Sequence, residues 1–413
     1  MPDIHSRNLS SALSVIVEKT SGVRSCGVSW LLPAGAGRDE PTLHGRAAVT
    51  SELLLRGAAD LDSRAQADAF DLLGASRSAD AGVRFMGVSA SMLADRLTEA
   101  LPLLADMIRR PRFDESSIPP AKELAVQSLE ALADEPQRRA VLGARARHFA
   151  DPFSRSGLGT KEGIAALTRE SIVAGWQRDA VPGGSILAIA GAVDPDEVFD
   201  AVERVAEGWS GSTTELATAG DPPRGYAHEH DDGAQVQIIL VHDAPPEPDE
   251  RSMLERIVVG VLSGGMSARL FTEVREKRGL CYAVHASYRA ERDYGAVTAS
   301  VGTTPQRAQE SLDVLVAELH RINAGGIEPD EFDRTVTRIK SSLVFAGEST
   351  AARAGALAHD QHKLGRPRSL DEIAAEVDAV SLDQVNAYLR TRTLGRVTIQ
   401  TVGPAELTPP ATA

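Results

Sequence analysis

The stretch E-V-R-E-K-R-G-L-C-Y-A-V, Glu273 to Val284, decides how the chain is read. Glu273 to Lys277 predict the charged end of a helix, and Gly279 predicts its stop. Leu280 to Ser287 alternate well enough to predict a strand. This unit sets Arg278 at the helix exit and Tyr282 near the start of the strand. Arginine offers a planar fork of donors for peptide carbonyls or carboxylates, and tyrosine offers one hydroxyl donor. Side by side they can hold an extended peptide and steady charge developing on its carbonyl oxygen. The same residues also suit a plainer arrangement, a surface arginine closing a helix and a tyrosine packed on a sheet.

Upstream, Leu13 to Glu18 and Cys26 to Leu32 read as two strands joined into a hairpin by T-S-G-V-R-S. A Gly-rich loop, P-A-G-A-G-R-D-E-P, leads to an amphipathic segment from Gly45 to Arg56, closed by Gly57. Phe70 to Ser78 and Val83 to Ser89 read as a second strand pair. Helices are predicted over Met92 to Ile108, Pro120 to Ala133 and Gln137 to Phe149, with Pro119 and Pro120 where a helix can begin without losing an internal hydrogen bond. A helix over Arg169 to Arg178, a buried strand S-I-L-A-I-A-G-A-V and a helix from Pro195 to Ala206 complete this half.

The second half repeats the order. A-G-V-R-F-M-G-V-S-A-S (81–91) is echoed by Y-G-A-V-T-A-S-V-G-T-T (294–304), and A-L-T-R-E-S-I (166–172) by A-V-S-L-D-Q-V (379–385). Gly191, ending a strand, is matched by Gly403. The offsets are 213, 213 and 212 residues. A near-constant offset carrying the same elements predicts a duplicated domain of ordinary size. The chain therefore divides into an N-terminal domain, 1–210, a polar linker, 211–233, and a C-terminal domain, 234–413. The expected fold class is α/β in the broad sense (α+β), two homologous domains, each a mostly antiparallel sheet packed with helices.

Bulk composition narrows the function. A chain of 413 residues with 42% apolar and 25% charged residues is an ordinary globular protein of more than one domain. A formal charge of −14 with no basic block argues against a nucleic-acid surface. Cys26 and Cys281 lie too far apart in sequence to suggest a disulfide framework or a Cys-rich metal site. With no secretory leader pattern and no apolar run of membrane-spanning length, the expected location is the cytoplasm, away from membranes.

G-A-G-R-D-E-P followed by G-R-A-A-V-T-S-E-L-L-L-R-G resembles the opening of the pitrilysin/insulinase metallopeptidase family, which includes the mitochondrial processing peptidases. G-L-G-T-K-E-G-I-A-A-L-T (157–168) and S-G-G-M-S-A-R-L-F-T-E-V-R-E-K-R-G-L-C-Y-A-V (263–284) are similar to the same family, and the last stretch is the most specific. The resemblance covers nearly the whole chain. It implies the processing-peptidase-like metallohydrolase fold, two homologous domains facing each other like half of a clamshell, and pairing of two subunits around a chamber.

One part of the family pattern is missing. Catalytic members carry H-x-x-E-H on the first helix, with two zinc-binding histidines, a glutamate as general base, and a further ligand on a later helix. Aligned on Gly45 and on the R-G that ends the helix, those three places hold Ala48, Ser51 and Glu52. Anchored on D-E-P (134–136), the distal ligand's place falls on Ser128, while a shift of one or two residues brings in Glu130. Alanine cannot coordinate a metal, and one carboxylate does not replace three protein ligands. The expectation is no metal and no cofactor in this chain, which is inactive alone.

Other metal-ligating candidates have plainer readings. His228, Glu229, His230, Asp231 and Asp232 read as a solvated charge run in the linker. His359 and His362 read as an exposed helix face with no third ligand nearby. Cys281 reads as a small packed residue, and His285 falls on the face of an ideal strand opposite Tyr282.

Arg278 and Tyr282, by contrast, match the family's Arg/Tyr pair. The resemblance implies that Arg278 grips the bound peptide and Tyr282 hydrogen-bonds the scissile carbonyl, acting in trans with a partner's zinc site. The chain resembles the zinc-site-lacking subunit of bacterial heterodimeric members. The implied partner is a homologous subunit bearing H-x-x-E-H and the zinc, and the implied substrate is a peptide or unfolded polypeptide. A homodimer is possible where that partner is absent. The alternative is a catalytically inactive structural or peptide-binding homologue.

Overall fold

The computed structural model describes residues 3–410. In the first half, β1 (Asp3–Asn8), β2 (Ser14–Lys19) and β3 (Ser25–Leu32) precede α1 (Arg46–Leu53). Two short strands follow, β4 (Gly57–Ala58) and β5 (Leu61–Asp62), then α2 (Ser63–Leu72), β6 (Ser76–Ala81) and β7 (Met86–Leu93). Next come α3 (Leu97–Arg109), α4 (Ile118–Glu130), α5 (Pro136–His148), α6 (Lys161–Ala166) and α7 (Arg169–Asp179). This half closes with β8 (Ile186–Gly191) and α8 (Pro195–Ala206).

The second half runs β9 (Gly225–His230), β10 (Val236–Ala244), α9 (Ser252–Ser263), β11 (Cys281–Ala290) and β12 (Gly295–Thr303). It continues with α10 (Ala308–Gly325), α11 (Pro329–Gly347), α12 (Thr350–Leu364), α13 (Leu370–Asp378), α14 (Leu382–Thr391) and β13 (Thr398–Gly403). The repeat is visible in local chemistry. Thr168 and Ser171 form a capping box at α7, and Ser381 and Gln384 form the corresponding one at α14.

The chain makes two compact units, neither continuous in sequence. The first comprises residues up to 131, 151–219 and 345–370; the second comprises 132–150, 220–344 and 371 onward. Taken separately, each unit is an α+β body whose sheet is mostly antiparallel.

In the first unit the strand order is β1-β2-β8-β3-β7-β6. The predicted hairpin of the first two apolar runs does not form. β8 inserts between them, parallel to β2 and antiparallel to β3. Both runs are almost wholly buried, so each gains more from a central partner than from the other's edge. The second predicted pair is present as β6 and β7, but Phe70 belongs to α2. Phe70 and Gln66 recur one turn apart on that helix's buried face, a helical period that the shorter strand reading overlooked.

In the second unit the order is β11-β12-β10-β13-β9. Read from the β6 edge, the first sheet gives the same succession, including one parallel pair at the corresponding place. The stretch read as linker contains an element, since β9 lies within it and pairs along β13. The charge run there is correspondingly not a free solvated loop. His228 Nδ1 lies 2.9 Å from Thr401 Oγ1, and Asp231 pairs with Arg139.

Two helices cross between the repeats. α12, from the second half of the sequence, packs on β3 and β8 of the first unit, where Ala351 backbone lies so near Gly27 that no side chain fits between. Arg353 of α12 donates to the buried carboxylate of Glu18 at 2.5 Å. Reciprocally, α5 packs on β10 and β13 of the second unit through Ala140 and Ala144.

The interior of the second unit holds a polar network. Glu255 accepts hydrogen bonds from Tyr388 Oη at 2.7 Å and from Arg392 Nε and Nη2 at 2.8 and 2.7 Å. Arg392 Nη2 also lies 3.2 Å from His242 Nε2, while His242 Nδ1 lies 2.8 Å from the carbonyl of Asp243. A cation on one side and a carbonyl on the other select the neutral ring protonated at Nδ1. Burial, reinforced by Arg392, pushes the His242 pKa down to about 4.

Candidate active site

The predicted helix–turn–strand unit is formed within the second unit. Phe271–Glu276 make a short π-helical turn, in which Lys277 N–H bonds back to Thr272. Such wide turns are frequent at functional sites. Gly279, at φ +60, ends it, with the Gly279 N–H on Arg275 O and the Leu280 N–H on Val274 O. The first is the single reversed bond of a left-handed glycine C-cap, a conformation that disfavours any residue with a Cβ, and the second reaches further back, in keeping with the wide turn before it. Arg307 bonds the Gly279 carbonyl from outside, fixing the turn to the start of α10.

The strand then begins with a bulge. Cys281 pairs with Thr303 and Ala283 with Gly302, leaving Tyr282 as the extra residue. A bulge at a strand end re-aims its side chain, and Tyr282 is 82% exposed. β11 is also an edge strand of its sheet. His285 belongs to the same strand and bonds Ser263 at 3.1 Å, but the bulge removes the ideal alternation that assigned it to the opposite face.

Arg278 is braced at the turn. Its Nη1 donates to the backbone carbonyl of Glu273 at 2.7 Å and to the Glu273 carboxylate at 2.8 Å. Lys277 shares that carboxylate, and the bonds from Lys277 and Arg278 hold Glu273 below the usual carboxylate range. Arg275 braces the tyrosine. Its guanidinium lies 5.0 Å from the Tyr282 ring centroid and 4.8 Å from that of Phe271. Sequence reading missed Arg275. The signal available was Phe271 four residues before it, the spacing that stacks neighbours on a helix; the bulge has no such signature. Cys281 is half-buried, and burial raises its thiol above the ordinary value.

The positions matching the zinc motif lie in the first unit. Ala48, Ser51 and Glu52 lie half-buried on α1, which packs on α4. Ala48 has no donor atom. Ser51 Oγ donates to Ala48 O at 2.8 Å, and Glu52 is held by Arg56 at 2.7 Å. Ser128, exposed on α4, donates to Leu124 O at 2.9 Å, and Glu130 pairs with Lys161 at 2.9 Å. A zinc ion needs three or four converging N, O or S donors. Residues already bonded to their own helix or to a neighbouring one, with one position lacking any donor, do not fit it. Among the described residues, no other group of three or more His, Cys, Asp or Glu is gathered for a metal. His359 bonds Gly355 O, and His362 packs edge-on against Phe85, so that pair faces two different surroundings.

Residues 14–158 match the family pattern "Insulinase (Peptidase family M16)", and residues 167–339 match "Peptidase M16 inactive domain". The chain belongs to the M16 peptidase family. An uncharacterized zinc protease of Bacillus subtilis, YmxG, is 25% identical over 386 residues, 92% of this chain and 93% of that protein. The crystal structure of a peptidase M16 inactive domain from Pseudomonas fluorescens aligns with a TM-score of 0.89 at 20% identity, covering 99% of both chains. A chain of Complex III2 from Candida albicans aligns at 0.84 and 17% identity, covering 97% of this chain and 96% of that one. As an M16 protein, the chain is zinc-protease-like in sequence and fold but lacks a zinc site at the motif positions. No described helix is long and apolar enough to cross a membrane.

Proposed function

We propose that this M16 protein is the non-zinc-binding subunit of a heterodimeric, cytoplasmic metallopeptidase. The observation that carries the reading is asymmetry. The zinc positions have lost their ligands, while Arg278 and Tyr282 are presented on a braced turn, with the tyrosine hydroxyl in solvent. A homologous H-x-x-E-H subunit supplies the zinc and the general base. This chain contributes two groups. Arg278, fixed through Glu273, keeps the rest of its fork for backbone carbonyls of a bound peptide or unfolded segment. Tyr282 donates its hydroxyl proton in a hydrogen bond to the scissile carbonyl oxygen as negative charge builds there. Neither group changes its covalent state during the reaction.

A second reading has its own support. The likeness to a chain of Complex III2 supports it, since the same fold occurs there within a complex, and the Arg278–Glu273 contact serves local stability as well as binding. In that reading the protein is a structural or peptide-binding homologue. The deciding experiment measures peptide hydrolysis by this chain, by an H-x-x-E-H homologue from the same genome, and by the mixture, with zinc content read in parallel. Activity in the mixture alone, with zinc following the homologue, is the expected result. Stable association with zinc in the homologue and no cleavage would favour the scaffold.

A further inference from the structure

A small recess in the second unit lies between α9 and α11, with a volume of about 180 Å³. That is the space of about six waters. Gly264, Gly265, Ser267, Glu331, Arg334 and Arg338 line it. Its one acid is already spent. Glu331 accepts two bonds from Arg269, at 2.7 and 2.5 Å, and a third from the Glu328 N–H at 3.0 Å. Arg334 and Arg338 stand one turn apart on α11, where like charges repel. Arg334 is attracted by Glu331 without forming a salt bridge, and no described carboxylate pairs with Arg338, in a protein with 58 acidic residues and a net charge of −14.

The floor is fitted to the cation above it. A Cβ on Gly265 would lie 2.7 Å from Arg338 Nη1, and one on Gly264 would lie 3.2 Å from it. Gly265 also has φ +156, which few other residues adopt. The Gly264–Gly265 turn thus leaves room for a guanidinium to lie close to the backbone, with its remaining donors open. Two arginine forks and the Ser267 hydroxyl around a small recess form an arrangement suited to a planar oxyanion.

We infer that the Arg334–Arg338 recess binds a carboxylate of a peptide ligand, its C-terminus or an acidic side chain. The inference takes from the proposed function only that the ligand is a peptide, and its test needs neither a partner subunit nor catalysis. A dansylated, otherwise neutral peptide is titrated into the full chain as the free acid, as the C-terminal amide, and as an amide carrying one internal aspartate, with anisotropy as the readout. The free acid should bind about tenfold tighter than the plain amide, and Arg334→Gln/Arg338→Gln should abolish that preference. Arg64→Gln/Arg96→Gln, which removes equal charge from the first unit, should leave it intact. Recovery of tight binding by the internal aspartate assigns the site to side chains, and no recovery assigns it to the chain end. Equal binding of acid and amide, no binding of either, or a preference surviving the double substitution would overturn the inference. All four arginines are exposed, and matching thermal melts establish that the variants fold. A silent mixed-subunit peptidase assay beside an intact acid preference would reject the catalytic reading and leave the recess standing.

Discussion

Arg275 is clasped between two aromatic rings, and one of them, Tyr282, belongs to a strand bulge rather than to the regular ladder. The ring of a solvent-facing tyrosine is thereby tied to the helix preceding it. A cation–π contact at an exposed site contributes about 0.5–1 kcal/mol. Arg275→Met removes two such contacts and should therefore lower stability by no more than about 2 kcal/mol while releasing the ring. Turnover in the mixed complex should fall, and Tyr282 ring resonances should shift toward those of a free tyrosine. An unchanged NMR environment would mean that Arg275 does not restrain the ring.

The hydroxyl itself is tested by Tyr282→Phe. The ring keeps its contact with Arg275, and the lost oxygen is solvent-exposed, so folding stability should change by less than about 0.5 kcal/mol. Loss of one oxyanion donor costs about 2–4 kcal/mol of transition-state stabilisation. The expected result is a fall in kcat of at least about thirtyfold in the complex, with KM little changed. Full activity of the phenylalanine variant would remove the assigned role.

Arg278→Lys separates charge from shape. Lysine retains the cation but cannot bind both Glu273 groups and still offer a planar fork. A residue that grips peptide equally in ground and transition states alters KM. Steady-state kinetics should show KM rising about tenfold with kcat nearly constant. A loss confined to kcat would move Arg278 from binding to chemistry.

Acid should loosen the second unit before its carboxylates titrate. His242 is held neutral by burial and Arg392, with its pKa depressed from 6.5 to about 4. The unfolded chain therefore binds one more proton than the folded chain across that window. The contribution is fully present above pH 6.5 and is lost as pH falls toward 4, roughly 3 kcal/mol in total. Urea melts from pH 7 to pH 4.5 should show this slope, and His242→Gln, which cannot titrate, should flatten it.

The helix–turn–strand unit was legible because its signals are local: charge at a helix end, glycine at the stop, alternation beyond. The repeat was legible in a constant offset, and the capping boxes at α7 and α14 keep it at 213 residues. Pairing was not legible. β8 lies more than 150 residues from the two strands it separates, and no local pattern in T-S-G-V-R-S reports that insertion. The loss of zinc chemistry could be read from Ala48, Ser51 and Glu52, since a missing donor needs no coordinates. The clasp on Tyr282 could not, because it depends on a one-residue slip at Cys281 that composition does not encode.

The reciprocal placement of α5 and α12 bears on how the protein is made. Domains commonly fold in the order in which they leave the ribosome. Here the first sheet lacks its covering helix until Leu364 has been synthesised, so its β3–β8 surface must wait, uncovered, through nearly the whole of translation. α5 is synthesised early and waits in turn for β13, which ends at Gly403. Neither unit can be completed by its own half of the gene. Truncation anywhere before Leu364 would therefore leave both units unfinished at once.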